Sequence, residues 1–137
     1  MPNLLTPIDF KNIFERMAGQ CLILDPALKI VAQNDAHARA TMTRREDTLG
    51  KFLFEVFPDN PNQSSADGVS ILRRSLLNVL KTRAIDVIPS FQFDIAPSEG
   101  GRYVPRVWRV VNTPVLDEDG FVRLIINQVD DLTVVLE

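Results

Sequence analysis

The chain has 137 residues, a common size for one compact domain, and 45% of them are apolar against 24% charged, which is globular composition rather than disorder. Fifteen Lys and Arg against eighteen Asp and Glu give a net charge of -3, so no basic field is available to hold a nucleic-acid backbone. Cys21 is the only cysteine, which excludes a disulfide within the chain and a Cys-based zinc site, and no apolar run is long enough to span a bilayer. The first five residues lack the basic start and apolar core of a signal peptide, so a cytoplasmic, single-domain protein is expected.

The first predicted element is a short helix. Thr6 suits the N-cap, Pro7 the first helical position and Asp9 the first turn, while Gly19 is expected to end it. Ile8, Phe10, Ile13, Phe14 and Met17 recur at helical spacing as one apolar stripe. Residues 20–24 and 29–33 read as a strand pair around the turn Asp25-Pro26-Ala27-Leu28, where Asp and Pro occupy the positions they favour in a type I turn. Asn34 or Asp35 then caps a helix over 36–42. Thr43-Arg44-Arg45-Glu46 fits a capping box and predicts a second short helix, and residues 53–57 form a third, closed by Pro58.

Residues 58–68 are polar and carry two prolines, as expected of a lid or a flexible connector. The best helix spans 69–83, with Val69, Leu72, Leu76, Val79 and Leu80 on one stripe. Strands are expected over 87–95, with Pro89 demanding an edge or a bulge, then over 104–115 after a Gly100-Gly101 loop, and over 121–129 after the turn Asp117-Glu118-Asp119-Gly120. Helices grouped between two sets of strands imply an α+β fold with an antiparallel sheet and helices on one face.

Four of these stretches resemble the PAS sensor domains of bacterial signalling proteins. Residues 23–31, from Ile23-Leu24-Asp25-Pro26 to Lys29-Ile30-Val31, are similar to that family's first hairpin, and Asn34-Asp35-Ala36-His37 to its Asn-x-Ala-aromatic helix. Residues 49–58, which open Leu49-Gly50 and close Phe57-Pro58, resemble its glycine-to-proline segment. Thr113-Pro114 with Asp117 to Gly120, followed by Asp131-Leu132-Thr133, resembles its last hairpin and closing signature. The resemblance runs over residues 10–133. It implies a five-stranded antiparallel sheet in the order 2-1-5-4-3 and a sensory role, commonly as the input module of a histidine kinase. It also implies a helical cap over 1–19, a PAS-like body over 20–133, and a linker starting at 134–137 toward an effector. Two residues depart from the pattern: His37 stands where Phe or Tyr is frequent, and Met42 where Gly is frequent.

His37, the only histidine, is a conceivable haem ligand. However, haem-binding relatives carry their iron ligand on the longer helix, which here has no histidine, so a ring filling an aromatic slot and donating one hydrogen bond is the simpler reading. Cys21 as the site of a flavin adduct meets a similar objection, because the reactive cysteine of light-sensing relatives lies in the central helices; a small buried side chain on the first strand is the simpler reading. Arg106, Trp108, Val110 and Asn112 share one strand face, with Arg109 opposite; the set suits a carboxylate or a flat polar ligand, against the plainer reading of a core tryptophan and solvated arginines. Asn127 and Gln128 point to opposite faces of the last strand, and alternation does not say which points inward. The carboxylates Asp117, Glu118, Asp119, Asp130 and Asp131 read as surface and turn residues, with no calcium-loop spacing. No nucleophile, acid-base or phosphate-binding motif is present, so catalysis by the domain is not expected.

The expected function is a sensory module that binds a small molecule or a partner and relays the event to an effector. The pocket candidates are Phe54, Phe57, Leu72, Leu76, Phe93, Trp108 and Asn112. The apolar stripe of the first helix is expected to form a homodimer, and a ligand-free dimerisation module is the alternative. No cofactor is assigned from the sequence.

Overall fold

The computed structural model describes residues 4–96 and 101–134. In chain order the elements are α1 (Pro7–Arg16), β1 (Gln20–Leu24), β2 (Ile30–Gln33), α2 (Asp35–Thr41), α3 (Arg45–Thr48), α4 (Leu53–Val56), α5 (Gly68–Thr82), β3 (Asp86–Gln92), β4 (Val107–Leu116) and β5 (Val122–Asp131). The strands form one antiparallel sheet in the order β2-β1-β5-β4-β3, as the resemblance implies. Pro89 lies in edge strand β3, within an irregularity between Ile88 and Phe91, where its missing N–H breaks no central ladder.

One face of the sheet is the core. Leu22 and Leu24 of β1, Trp108 and Val110 of β4, and Ile125 and Val129 of β5 all point inward by period-two alternation. They meet Leu72, Leu76 and Val79 of α5 together with Leu53 and Phe57. Helix α5 lies over β3 and β4 and ends at Arg83, which adopts the left-handed conformation after the last turn. Its start is set by a close approach: a Cβ on Gly68 would lie 2.7 Å from the Phe93 ring and 3.0 Å from the Gln92 carbonyl.

Three local expectations need correction. Helix α1 ends at Arg16, and Met17, already extended, terminates it; Gly19 is not its cap. The Gly19 carbonyl instead accepts from Asn34 Nδ2, so this stretch is shaped by a contact with α2. The expected capping box at Thr43 does not form. The α3 N-cap is Arg44, without a side-chain cap, because the Thr43 hydroxyl is engaged with Gln33 and Thr41, while Arg44 holds Glu46. Finally, residues 58–68 are tied down: Asp59 accepts from the Val69 N–H at the start of α5, and Asn60 donates to Asp94. Gly100 and residues 135–137, in the expected loop and linker, lie outside the described residues.

Met42 follows α2 at φ 56°, ψ 38°, a left-handed conformation that glycine accepts without cost and other residues do not. Its side chain packs against the core cluster, which offsets part of that cost. The closing signature is equally specific. The Leu132 N–H donates to the Val107 carbonyl at 2.7 Å, the Thr133 hydroxyl accepts from the Val107 N–H at 2.9 Å, and Asp131 accepts from the Thr133 N–H at 2.8 Å. The end of β5 is thereby fastened to the start of β4.

Candidate functional site

Between the inner sheet face and the helices lies an apolar cavity of about 40 Å³. Of the residues singled out in the sequence, Phe57, Leu72, Phe93 and Trp108 line it. Phe54, Leu76 and Asn112 do not. Phe54 is half-buried beneath the Arg73 guanidinium, 5.0 Å from its ring centroid; Leu76 is buried in the adjoining core; Asn112 is consumed by other side chains. The lining also includes Leu22, His37, Thr41 and Asn127.

The sheet register aligns an inward-facing row across all five strands: Gln33, Leu22, Asn127, Asn112 and Asp86 are successive cross-strand partners. Four of the five are polar. A buried polar group is tolerated only when it is hydrogen-bonded, and the stretch of this row from Asn127 to Asp86 is bonded in succession through Ser75. Asn127 Nδ2 donates to Asn112 Oδ1 (2.7 Å), Asn112 Nδ2 to Ser75 Oγ (2.9 Å), and Ser75 Oγ to Asp86 Oδ2 (2.5 Å). The chain of bonds thus runs from the cavity wall to the α5–β3 surface, where Asn78 also donates to Asp86. Register answers the question alternation left open: Asn127 is inward and Gln128 outward.

At the other end of the row, Gln33 is the centre of a second network. Its Oε1 accepts from the Thr48 hydroxyl at 2.8 Å, its Nε2 donates to Thr43 Oγ1 at 2.9 Å, and Nε2 lies 3.0 Å from His37 Nδ1. The direction of that last bond follows the tautomer of the imidazole. His37 fills the expected aromatic slot, edge to face with Phe57 at 5.9 Å. Its ring is 3% exposed, and burial pushes its pKa down to about 3.

The α2 backbone that carries His37 is seated by Asn34. This side chain is fully buried; its Oδ1 accepts from the N–H groups of both Cys21 and His37, each at 3.0 Å. An Asn in this place caps α2 and satisfies the β1 backbone at once, which no apolar residue could do. Arg45 braces the same corner, donating to the Gln33 carbonyl and pairing with Asp35 and, at 3.6 Å, with Glu15 of α1. That pairing holds the half-buried Asp35 carboxyl below its usual range.

The strand face of Arg106, Trp108 and Asn112 does not converge on a ligand. The Trp108 indole N–H is spent on the Phe93 carbonyl at 2.8 Å. Arg106 precedes β4 and pairs with Asp131 at 3.3 Å, and Arg109 lies on the opposite face near Asp130. The residues do not fit haem or a flavin adduct. A porphyrin or an isoalloxazine exceeds a cavity of this size several-fold, since ligand pockets run to roughly 300 Å³ and more. Cys21 does not line the cavity, and burial, with a contribution from Asp130, pushes its thiol pKa up and away from a reactive thiolate. Among the described residues no group of three His, Cys, Asp or Glu side chains is placed to hold a metal ion, and no helix is long and apolar enough to cross a membrane.

No protein-family model and no curated protein matches the chain. Solved structures do. The PAS domain of nitrogen regulation protein NR(II) from Vibrio parahaemolyticus superposes with a TM-score of 0.64 at 16% identity, over 89% of this chain and 96% of that one. A sensory box sensor histidine kinase structure from Vibrio cholerae gives 0.62 at 17% identity, over 93% and 92%. A Rhodobacter sphaeroides LOV protein gives 0.65 at 14% identity, over 89% of this chain and 64% of that one. At such identities the likeness speaks to architecture, and the architecture is unambiguous: this chain has the PAS fold.

Proposed function

We propose that the domain is a cytoplasmic sensory module whose cavity takes a small molecule and whose response is passed to an effector through the segment after β5. The observation that carries this is the apolar cavity between sheet and helices, walled by Phe57, Leu72, Phe93 and Trp108, beside two buried polar networks. A cavity bordered by rigid, satisfied groups responds to filling as a unit, because the surrounding elements are packed and hydrogen-bonded together. The body over 20–133 is the sensing unit, and the Asp131–Thr133 clamp on Val107 is where a change in the β4–β5 pair reaches the exit toward 134–137. A ligand biases this pair only by binding one arrangement better than another. Signalling neighbours such as the Vibrio cholerae kinase support an effector of histidine kinase type, and no catalysis of its own is assigned to the domain. Native and denaturing mass spectrometry, with an absorption spectrum of the same sample, tests the reading. Extra mass that is lost on denaturation is the expected result; cavity side chains that show no NMR response to any added small molecule would sink it.

A second reading, a ligand-free dimerisation module, is favoured by helix α1. It buries no residue, and Ile8, Phe10, Ile13 and Met17 are all exposed. Such a stripe is costly to leave in water. We infer that it packs on a second copy, alongside ligand binding or in place of it. A mass that rises with concentration and is returned to that of a monomer by Ile13→Asp supports this; a monomer at all concentrations refutes it.

A further inference from the structure

We propose that the groove between α5 and β3 docks an acidic amphipathic helix of a partner protein, with two carboxylates seated on Arg74 and Lys81 and apolar residues between them covering Leu77 and Val87. This surface shares no lining residue with the cavity, and the proposal stands whether or not the cavity takes a ligand.

Shape, charge and backbone point to that occupant. The groove measures about 440 Å³, and its walls include Ile71 with Leu77 and Val87, which are 50% and 43% exposed and leave an apolar strip in water. The four cations of α5 and its cap are not alike. Arg73 lies over the Phe54 ring at 5.0 Å and Arg83 over the Phe121 ring at 4.7 Å, so both are engaged. Arg74 and Lys81, the two that line the groove, pair with no described residue. The one carboxylate there, Asp86, accepts from Ser75 Oγ at 2.5 Å and Asn78 Nδ2 at 2.9 Å and bonds neither cation. Two cations against one carboxylate leave the lining at +1 on a chain of net charge -3, and that charge favours an acidic partner. Arg74 and Lys81 stand two helical turns apart, about 10 Å along the axis, which is the spacing of residues i and i+7 on a second helix. A strand added to the β3 edge fits less well, because Pro89 has no N–H and the ladder is irregular between Ile88 and Phe91. Helix α1 of a second copy also fits less well, since its Asp9 and Glu15 are balanced by Lys11 and Arg16.

The test titrates the whole chain with two synthetic helical peptides built on Ala and Gln, each with Leu at i+3 and i+4. One carries Glu at i and i+7, and the other carries Lys at both. The Glu peptide is expected to bind about five-fold more tightly at low salt, with the difference shrinking at high salt, and to shift the amides of α5 and β3 in NMR spectra. The double variant Arg74→Glu, Lys81→Glu is expected to reverse that preference, and Leu77→Ser to weaken both peptides. All three positions are exposed, and urea unfolding checks that the variants fold. Should a variant not fold, the Glu-to-Lys affinity ratio of the natural chain decides. Equal affinity for the two peptides, no binding of the Glu peptide, or shifts confined to other surfaces would overturn the inference. Groove shifts that grow with protein concentration in the absence of peptide would also overturn it, by showing that a second copy covers this face.

Discussion

Helices α1 and α2 are neighbours, linked through Arg45 of α3, which pairs with both Glu15 and Asp35, yet they are opposite kinds of helix. Helix α1 has every local device: a Thr6–Asp9 capping box, a proline at its start, a basic last turn and an amphipathic stripe. It buries nothing. Helix α2 has seven residues and ends on a strained Met42, but Ala36, His37 and Thr41 are buried and Asn34 stitches it to β1. Local propensity writes a helix that needs a partner, whereas tertiary contacts hold one that could not form alone. The rigid corner belongs to α2, and the available surface to α1.

The comparison breaks first at the caps. Asn34→Ala is expected to cost about 3 kcal/mol in urea unfolding, since it removes the cap and leaves the buried Cys21 N–H unsatisfied. A cost near that of an ordinary exposed cap would show that α2 is not seated as described. Next is His37. Its folded pKa lies near 3, below an unfolded value near 6.5, so the unfolded chain takes up a proton that the native protein refuses. Stability therefore falls as pH drops below about 6.5, by up to about 1.4 kcal/mol per pH unit, ahead of the carboxylates, and His37→Phe abolishes that slope between about pH 6.5 and 4.5. An unchanged slope in the variant would show the ring to be charged or solvated in the native state.

A smaller effect sharpens the comparison at Met42. Glycine in a helix or strand is normally less stable than alanine, but at a left-handed position the order reverses, so Met42→Gly is expected to exceed Met42→Ala by about 1 kcal/mol in thermal unfolding. The smallest expected effect is at Thr6. Thr6→Ala removes the same kind of cap as Asn34→Ala, yet in dilute, monomeric protein it should change global unfolding by under about 0.5 kcal/mol and show instead as faster amide exchange within α1. A loss that grows with protein concentration is expected where α1 is docked on a second copy, and a large loss in the monomer would show that α1 packs on its own domain.

Much of the architecture is legible in the residues. The Asp25-Pro26 and Asp117–Gly120 turns, the stripe of the long helix and the Pro89 irregularity each follow from local stereochemistry, and Asp117 Oδ1 indeed accepts from Asp119 and Phe121. The site is legible only in part. Phe57, Leu72, Phe93 and Trp108 are large apolar residues on inward faces and can be selected by periodicity. Gln33 and Thr48, the centre of the His37 network, carry no signal, because a polar residue destined for burial looks like any solvated one until its partner is known. The false capping box at Thr43 has the same origin: its hydroxyl found Gln33, ten residues away, in place of its own helix.

By itself, the sequence determined the elements, the order of the sheet through its resemblance to PAS domains, and the amphipathic first helix, since these depend on spacing and turn chemistry within a few residues. Only the tertiary structure decided that Asn127 faces inward, that the polar row Gln33 to Asp86 aligns across five strands, and that His37 lines a small apolar cavity. Each of those depends on strand register and on side chains brought together from distant parts of the chain, and a one-residue slip in register would turn every one of them to the other face.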